Sequence, residues 1–417
     1  MRLLSRKVAA AVGAVGAAVA SLALALPAHA DTAARTGDVV GVGSDTVQNM
    51  ADFLFDGAPG VAGGYNNVGN NNRVENVFAT GDANGRLPYD GTCGTPNPAT
   101  TGLGTFCDST TNQAPNALAG SVVLRVGTAP VTRPNGSGAG VAALIADSAS
   151  PGYQGLPPGS INFARMSRLP NTTEETNCTN ITACGGLHVY QAATDQLTIA
   201  HQASAYNGPA GLTADQLYHI FVLCDYSTWN EIPGNSTGST DTIHPIIPQP
   251  GSGTRNFFLA DLQAAEGLPN PPTPGPCTRI AEEHDPTGIY QDPTPADAIE
   301  PFSSGKITMI NSGYLKNAGY QNSAGKNAFT PGFLSTLTGA PPGGGTTYNS
   351  TRGLYFVLRQ TDVTSTKPFQ SGSSQTYAQV LFSLPTSLIA RASNAPLVAA
   401  AGFTQAYKDC GINPTSC

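Results

Sequence analysis

Three short turns rich in glycine and hydroxyl side chains are the segments of this sequence best suited to chemistry. Their sequences are Gly43-Ser-Asp-Thr46, Gly136-Ser-Gly-Ala-Gly140 and Gly251-Ser-Gly-Thr254. Each turn follows a predicted strand and opens a predicted helix. Helix N-termini carry unpaired N–H groups and a partial positive charge, glycine allows close approach to the backbone, and serine and threonine supply further donors. One such turn would indicate only a helix cap, but three together predict a binding site for a small anion.

The elements that position these turns alternate between strand and helix patterns. A buried strand is predicted over residues 38–43, and apolar residues then recur at helical spacing from Val47 onward. Thr213 and Gln216 form a capping box that begins another helix, and an apolar helix is predicted near residues 379–392. Alternating strands and helices favour an α/β fold, in which ligands bind beyond the carboxyl ends of the strands.

The N-terminus has the pattern of a cleavable export signal. Basic residues at positions 2, 6 and 7 precede an apolar run over 8–26, and Ala28-His-Ala30 supplies the small residues of a cleavage site after Ala30. We therefore expect residues 1–30 to be a signal peptide and the mature protein to be secreted, either outside the cell or in the cell-envelope space. No cysteine stands at the cleavage site, so a lipid anchor is not expected. An uncleaved membrane anchor is the alternative, but no later apolar run approaches the roughly 20 residues of a transmembrane helix.

The composition is typical of an exported globular protein and not of one that binds nucleic acid. The chain has 417 residues, of which 48 are glycine, 33 are proline and only 11% are charged. Removing the signal leaves 17 Lys and Arg against 27 Asp and Glu, a formal charge of −10. This acidic balance argues against nucleic acid as a partner. The 387 mature residues suffice for two lobes with a sizeable core.

All eight cysteines lie in the predicted mature chain, and an even number in an exported protein favours disulfides. Taken in order along the chain they pair as Cys93 with Cys107, Cys178 with Cys184, Cys224 with Cys277, and Cys410 with Cys417. Other connectivities stay open, because eight cysteines allow about 105 pairings. No C-x-x-C motif is present and the histidines are scattered, so we expect no metal site.

Taken in order, these motifs resemble the phosphate-binding (PstS-like) family of ABC-transporter solute-binding proteins. The three turns are similar to ligand loops of that family, and residues 163–168 stand where it has a Ser-Asp loop. Residues 212–221 with Trp229-Asn230 resemble its helix and Trp-Asn element. The resemblance extends from about residue 38 to about residue 310 and implies the type II periplasmic-binding-protein fold.

The resemblance implies a two-lobe α/β protein with its ligand cleft between the lobes. The first part of lobe 1 would cover 31–195, including an Asn/Gly-rich insertion at 57–118, and lobe 2 would cover 196–299. Residues 300–417 would return to lobe 1 and form a C-terminal extension. Phosphate or a similar oxyanion is the implied ligand and an ABC permease the implied partner. We expect a monomer that needs no cofactor.

The implied ligand set lies in the three turns and in the loop after residue 163. Its members are Ser44, Asp45, Thr46, Gly136, Ser137, Gly138, Arg168, Ser252, Gly253 and Thr254.

Two departures from the family's pattern bear on specificity. The family usually has an Asp in the third loop, where Arg168 stands here, and an Arg before the last turn, where residues 248–250 are Pro-Gln-Pro. Arg168, or else Arg165, is therefore expected to pair with the anion, and a solvated or lobe-bridging role is the alternative. Discrimination between phosphate and sulfate is open, with Asp45 as a candidate acceptor.

Two other classes of protein are alternatives to a binding protein. A secreted hydrolase, for example one similar to a phosphatase, is not favoured, because neither Ser137 nor Ser252 lies in a Gly-x-Ser-x-Gly frame. We therefore expect no enzymatic activity. A surface or matrix interaction protein on the same fold stays open, since the Asn/Gly-rich insertion and the lack of a lipid anchor suit it.

Overall fold

The structure, a computed structural model, describes residues 33–58, 60–79, 107–108, 121–290, 292–312 and 334–417. All described residues belong to one compact unit, Asp31–Cys417. The predicted signal peptide and most of the predicted insertion lie outside the described residues. So does Cys93, one partner of the predicted Cys93–Cys107 disulfide. In the described part, no helix is long and apolar enough to cross a membrane.

The described part of the chain contains strands and helices in alternation. The strands are β1 (Val39–Gly43), β2 (Val74–Asn76), β3 (Cys107–Asp108), β4 (Ser121–Val122), β5 (Val131–Thr132), β6 (Phe163–Met166), β7 (Leu187–Gln202), β8 (His244–Pro248), β9 (Arg279–Ala281), β10 (Ala298–Ser303), β11 (Leu334–Thr336), β12 (Ser350–Arg359) and β13 (Thr404–Ile412). The α-helices are α1 (Asp45–Asp56), α2 (Gly136–Ala146), α3 (Thr172–Thr179), α4 (Ala214–Tyr218), α5 (Gly253–Glu266), α6 (Thr287–Tyr290), α7 (Ser304–Asn311), α8 (Gln360–Val363) and α9 (Ala395–Ala400).

One mixed sheet connects most of these strands, in the order β2-β1-β6-β12-β7-β10-β8-β9-β3. β11 and β13 also pair with β7, and β4 and β5 form a separate pair. The long strand β7 pairs with β12 over residues 187–197 and with β10 over 197–200. On one side of it β1 is parallel to β2 and β6, and on the other β8 is parallel to β9 and β10. Two groups of parallel strands joined by one long strand give the two-lobe α/β fold that the sequence predicted.

Both faces of each strand group are buried under helices. In β1, Val39 packs in the hydrophobic cluster that contains α1, whereas Val40 packs in the cluster that contains α2. In β8, Ile247 packs with α4 and α5, whereas Ile246 packs with α7. This alternation is the period of two expected of strands that are covered on both faces. Because α1 follows β1 and α5 follows β8, the first and last turns lie at the carboxyl ends of parallel strands.

Of two helices predicted from local sequence patterns, the structure contains one as predicted and the other only in part. The capping box is confirmed: the Thr213 hydroxyl accepts from the Gln216 N–H at 3.1 Å, and the Gln216 side chain accepts from the Thr213 N–H at 2.9 Å. The apolar helix predicted near 379–392 is wrong, because only a π-helical turn, Gln379–Ser383, forms there. Pro385 explains its end, since proline lacks an N–H and keeps the preceding residue out of the helical region.

Three disulfides occur in the described part of the chain, and each joins cysteines that the sequence paired. They are Cys178–Cys184, Cys224–Cys277 and Cys410–Cys417. The second encloses the longest loop, with a sequence separation of 53 residues, and links the segment after α4 to the start of β9.

Candidate ligand-binding site

The three turns that the sequence singled out lie against one another. The Gly138 N–H in the second turn donates to the Gly251 carbonyl in the third at 3.0 Å. Gly43 in the first turn forms a parallel bridge with the residue that precedes the second. The hydroxyl oxygens of Thr46 and Thr254, from the first and third turns, are 3.3 Å apart. The fold therefore brings together the N-termini of α1, α2 and α5, as an anion site requires.

This close approach depends on glycine. Gly136 has a φ of +87°, and a Cβ there would lie 2.7 Å from the Gly251 carbonyl oxygen. A Cβ on Gly253 would collide with the hydroxyl groups of Ser137 and Ser167. Ser137 is itself fully buried and accepts a hydrogen bond from the Ser167 N–H at 3.1 Å. The Ser137 hydroxyl proton therefore remains available for a neighbour or a ligand.

The first turn is fixed by buried charged side chains. The Arg165 guanidinium is fully buried and donates to the carbonyls of Gly43 at 3.0 Å and Ser44 at 3.2 Å. Asp45 pairs with Lys306, with 3.2 Å between Oδ1 and Nζ. The buried Ser44 hydroxyl has no hydrogen-bond partner among the described residues. Arg165 thus holds the end of β1 in place, while the Ser44 hydroxyl lies in the turn with its hydrogen bonds unused.

The third turn begins α5. The Ser252 side chain caps this helix by accepting from the Arg255 N–H at 3.0 Å. The Thr254 N–H donates instead to Glu283 Oε1 at 3.1 Å. Arg255 donates to the Pro248 carbonyl at 3.0 Å, and burial lowers the pKa of this guanidinium to about 10. The free N–H groups of the helix are thus shared between a local cap and a carboxylate from the segment after β9.

A compact polar network connects the first and third turns. The Thr46 hydroxyl donates to Glu283 Oε1 at 3.0 Å, and His284 Nε2 lies 2.8 Å from Thr46 Oγ1 and 3.1 Å from Thr254 Oγ1. His284 Nδ1 accepts from the Ser303 N–H at 3.4 Å, which puts the ring proton on Nε2. Burial lowers the pKa of His284 well below its ordinary value. The neutral ring is therefore a donor to the threonine hydroxyls and cannot act as their base.

Arg352 supplies positive charge to this network. Its Nη1 donates to Thr254 Oγ1 at 2.8 Å, and its Nε and Nη2 donate to Asp195 Oδ2 at 3.0 and 2.9 Å. Asp195 also accepts from the Ser303 hydroxyl at 2.9 Å. The carboxylate fixes the guanidinium in the plane that presents Nη1 to the turn.

Arg168 lies beside the second turn, but its guanidinium forms an ion pair with a carboxylate outside the turns. The ion pair with Glu174 is bidentate: Arg168 Nη2 donates to Oε1 at 2.6 Å and Nη1 donates to Oε2 at 2.8 Å. Glu174 is held in turn by a capping box with Asn171 at the start of α3. A Cβ on Gly138 would be 3.5 Å from Arg168 Nη2, so the guanidinium borders the turn.

Burial governs the protonation of the acidic groups here. Burial raises the pKa of the Glu283 carboxyl above its ordinary value and the Asp45 charge raises it further, whereas hydrogen bonds from Thr254 lower it. Burial also raises the pKa of Glu300, on β10, well above its ordinary value, and Asp285 adds to this effect. In the described part of the chain, no group of three or more His, Cys, Asp or Glu side chains is arranged to hold a metal ion.

Sequence reasoning missed the residues that complete this network, namely Asp195, Glu283, His284 and Arg352. Arg352 comes directly before an apolar strand pattern, and Glu283 and His284 lie in the run Glu282-Glu-His-Asp285. Each of these four residues is charged or carries an imidazole, and each stands near apolar residues in a chain with few charges. A polar side chain in such a position indicates a buried functional group and could have predicted them.

Comparison with known proteins places the fold. A family model described as a PBP superfamily domain matches residues 98–383, about two thirds of the chain. The match begins after the first turn and includes the second and third. No curated protein matches the chain.

Solved structures resemble the chain at low identity. An ABC-type phosphate transport receptor from Vibrio cholerae is 13% identical with a TM-score of 0.43, covering 88% of this chain and 100% of that one. A putative phosphate ABC transporter substrate-binding protein from Clostridium perfringens is 12% identical with a TM-score of 0.46, covering 88% and 99%. A possible phosphate-binding protein from Planctomyces limnophilus is 11% identical with a TM-score of 0.40, covering 89% and 93%. The match to the family model over most of the chain shows that this protein belongs to the PBP superfamily.

Proposed function

We propose that the protein is a secreted solute-binding protein that holds a small oxyanion, phosphate above others, in a cleft between two lobes. The observation that carries this proposal is the convergence of three helix N-terminal turns. Thr46 of the first turn contacts Thr254 of the third, and Gly138 of the second donates to Gly251 of the third. The protein binds its ligand and does not transform it. We further propose that it is a monomer that serves uptake together with an ABC permease.

The boundary between the two proposed lobes lies within the long strand β7. Lobe 1 would comprise 31–195 and 300–417, and lobe 2 would comprise 196–299. The first and second turns then belong to lobe 1 and the third to lobe 2, so an anion between them would contact both. A ligand that binds both lobes favours their closure, in the manner of hinge-closing receptors.

The proposed ligand set keeps the residues predicted from the sequence and adds one. The hydroxyl groups of Ser44 and Ser137 and the Thr254 N–H, which now donates to Glu283, would donate to the anion. Gly138, whose own N–H donates to Gly251, would border the anion, and Arg352 would be the buried cation beside it. Each charge-assisted hydrogen bond contributes about 1.5–3 kcal/mol. A few of them suffice for a micromolar dissociation constant, which corresponds to about −8 kcal/mol. Arg168 would reach the ligand only by leaving Glu174.

The test is a calorimetric titration of the mature, oxidised protein with phosphate, with sulfate as the comparison. We expect micromolar binding of phosphate, and dissociation constants at least about tenfold higher in Ser137→Ala and Thr254→Ala. Ser137→Ala loses a hydroxyl donor to the anion, and Thr254→Ala loses the hydroxyl that holds the Arg352 guanidinium at the turn. Thr364→Ala is the matched control, since its exposed hydroxyl donates to the backbone carbonyls of Gln360 and Thr361 in its own helix, away from the three turns. Binding of neither anion by the wild-type protein, or unchanged affinity in both site variants, overturns the proposal.

A further inference from the structure

One side chain already occupies the position at the N-terminus of α5 where a bound anion is expected. Glu283 is fully buried, and its Oε1 accepts both the Thr254 N–H at 3.1 Å and the Thr46 hydroxyl at 3.0 Å. These two donors come from the third and first turns. The Glu283 carboxylate thus joins the same two turns that a bound oxyanion would join.

We propose that Glu283 is an internal ligand of the oxyanion site, and that a dissolved anion binds by displacing its carboxylate. This inference rests on the proposed function, because it concerns the same site. It assigns to Glu283 the role of a competitor that sets the affinity of the site.

The donors around Glu283 are of the kind that recognise oxyanions in general. A helix N–H, a threonine hydroxyl and a nearby guanidinium from Arg352 stabilise a carboxylate and a phosphate by the same physics. Arg352 reaches this group through Thr254 Oγ1, to which it donates at 2.8 Å. These donors therefore favour any oxyanion that fits between them. The Glu283 carboxylate has an advantage over a dissolved anion, because it is part of the chain and is always present at the site.

The Glu283 carboxylate and a dissolved anion exclude each other because both need the same hydrogen-bond donors. The Thr254 N–H has one proton to donate, and its donation to Glu283 Oε1 leaves none for a ligand. Glu283 Oε2 is also buried and has no hydrogen-bond partner among the described residues, so the carboxylate is held through one oxygen only. A tetrahedral anion could use more of the surrounding donors than this carboxylate does.

The segment that carries Glu283 is itself attached to the turns. The Glu283 N–H donates to Gln249 Oε1 at 2.7 Å, and the neighbouring Glu282 carboxylate accepts from Gln249 Nε2 and Asn135 Nδ2, each at 3.0 Å. Because Glu282 is bound by amide side chains and not by the helix terminus, it provides a matched control. Removing Glu282 deletes one negative charge but leaves Thr254 and Thr46 occupied by Glu283.

The experiment compares wild-type protein with Glu283→Ala and Glu282→Ala by calorimetric titration with phosphate at fixed salt and pH. The proposal expects E283A to bind phosphate about tenfold or more tightly than wild type, and E282A to change the affinity far less. Circular dichroism verifies that both variants fold. If E283A does not fold, Glu283→Gln takes its place, because the amide keeps the shape and loses the charge, and the same direction of change is expected.

A second measurement uses acetate, which has the atoms that Glu283→Ala removes. We expect acetate to raise the melting temperature of E283A in a saturable way and to leave wild type and E282A unchanged. If wild type binds phosphate and E283A binds it equally well or more weakly, the displacement proposal is overturned while the proposed function stands. If neither wild type nor either variant binds phosphate, the proposed function fails, and the acetate measurement alone tests the role of Glu283. A rise in melting temperature with acetate in E283A only would support Glu283 as an internal ligand. No such rise would overturn that role.

Discussion

Replacing Glu300 by glutamine is expected to flatten the pH dependence of the protein's stability. The Glu300 side chain is fully buried, and neither carboxylate oxygen has a hydrogen-bond partner among the described residues. Burial raises the pKa of this carboxyl well above its ordinary value, and the charges of Asp285, Glu282 and Glu283 raise it further. The folded protein therefore keeps the Glu300 proton at pH values where the unfolded chain has released it.

The sign and size of the effect follow from proton linkage. The unfolded chain loses the Glu300 proton near the ordinary pKa of 4.5. Between that pH and the raised folded pKa, the folded state binds one more proton, so the free energy of unfolding decreases as the pH rises. One proton contributes a slope of up to about 1.4 kcal/mol per pH unit. Glutamine has nearly the same shape and cannot ionise, so E300Q gains stability over wild type throughout this window.

Urea unfolding of both proteins over a series of pH values, from about pH 4 to about pH 9, measures this difference. Asp215→Asn serves as the control, because it removes a carboxylate from a side chain that is 63% exposed. We expect the difference in unfolding free energy between E300Q and wild type to grow with pH, and the D215N difference to stay small. A difference for E300Q that does not depend on pH would refute the reasoning, because it would mean that Glu300 ionises alike in the folded and unfolded states.

Two further predictions concern stability. Replacing both Cys224 and Cys277 by serine releases a loop with a sequence separation of 53 residues and should lower the free energy of unfolding by about 4 kcal/mol, measured by urea unfolding; no change would contradict the disulfide. Arg352→Met leaves the buried Asp195 carboxylate without its ion-pair partner and should cost about 3–5 kcal/mol, most of which Asp195→Leu in the same chain should restore. A double variant no more stable than R352M would show that the pair does not account for the loss.

The turns and helix starts could be predicted because their signals are local. The capping box of Thr213 and Gln216 and the helix that begins after Ser252 depend on residues within one helical turn. Glu174 gave a similar local signal: with Asn171 it forms a capping box six residues after Arg168, and it pairs with that arginine. This local pairing with Glu174 competes with the anion for Arg168, and the expectation that Arg168 binds the anion left it out.

The rest of the site depends on which strands become neighbours, and no local pattern determines that. Arg352 meets Thr254 across 98 residues of sequence and Asp195 across 157. Its position follows from the pairing of β12 with β7, in which Arg352 lies opposite Asp195. Glu283 reaches Thr254 only because β9 lies parallel to β8, so that the segment after one strand meets the helix after the other.

The buried charges around the turns are in keeping with the proposed binding site. Arg352 pairs with Asp195 and Lys306 with Asp45, and all four side chains are almost entirely buried. A buried ion pair adds little to stability, because the cost of removing both charges from water offsets their attraction, and apolar residues of similar volume often stabilise a fold as well or better. Glu283 adds a further carboxyl group whose pKa is raised by burial, which disfavours its charged form. The proposed oxyanion site would account for this arrangement, because the donors that stabilise an internal carboxylate are the same ones that stabilise a dissolved oxyanion.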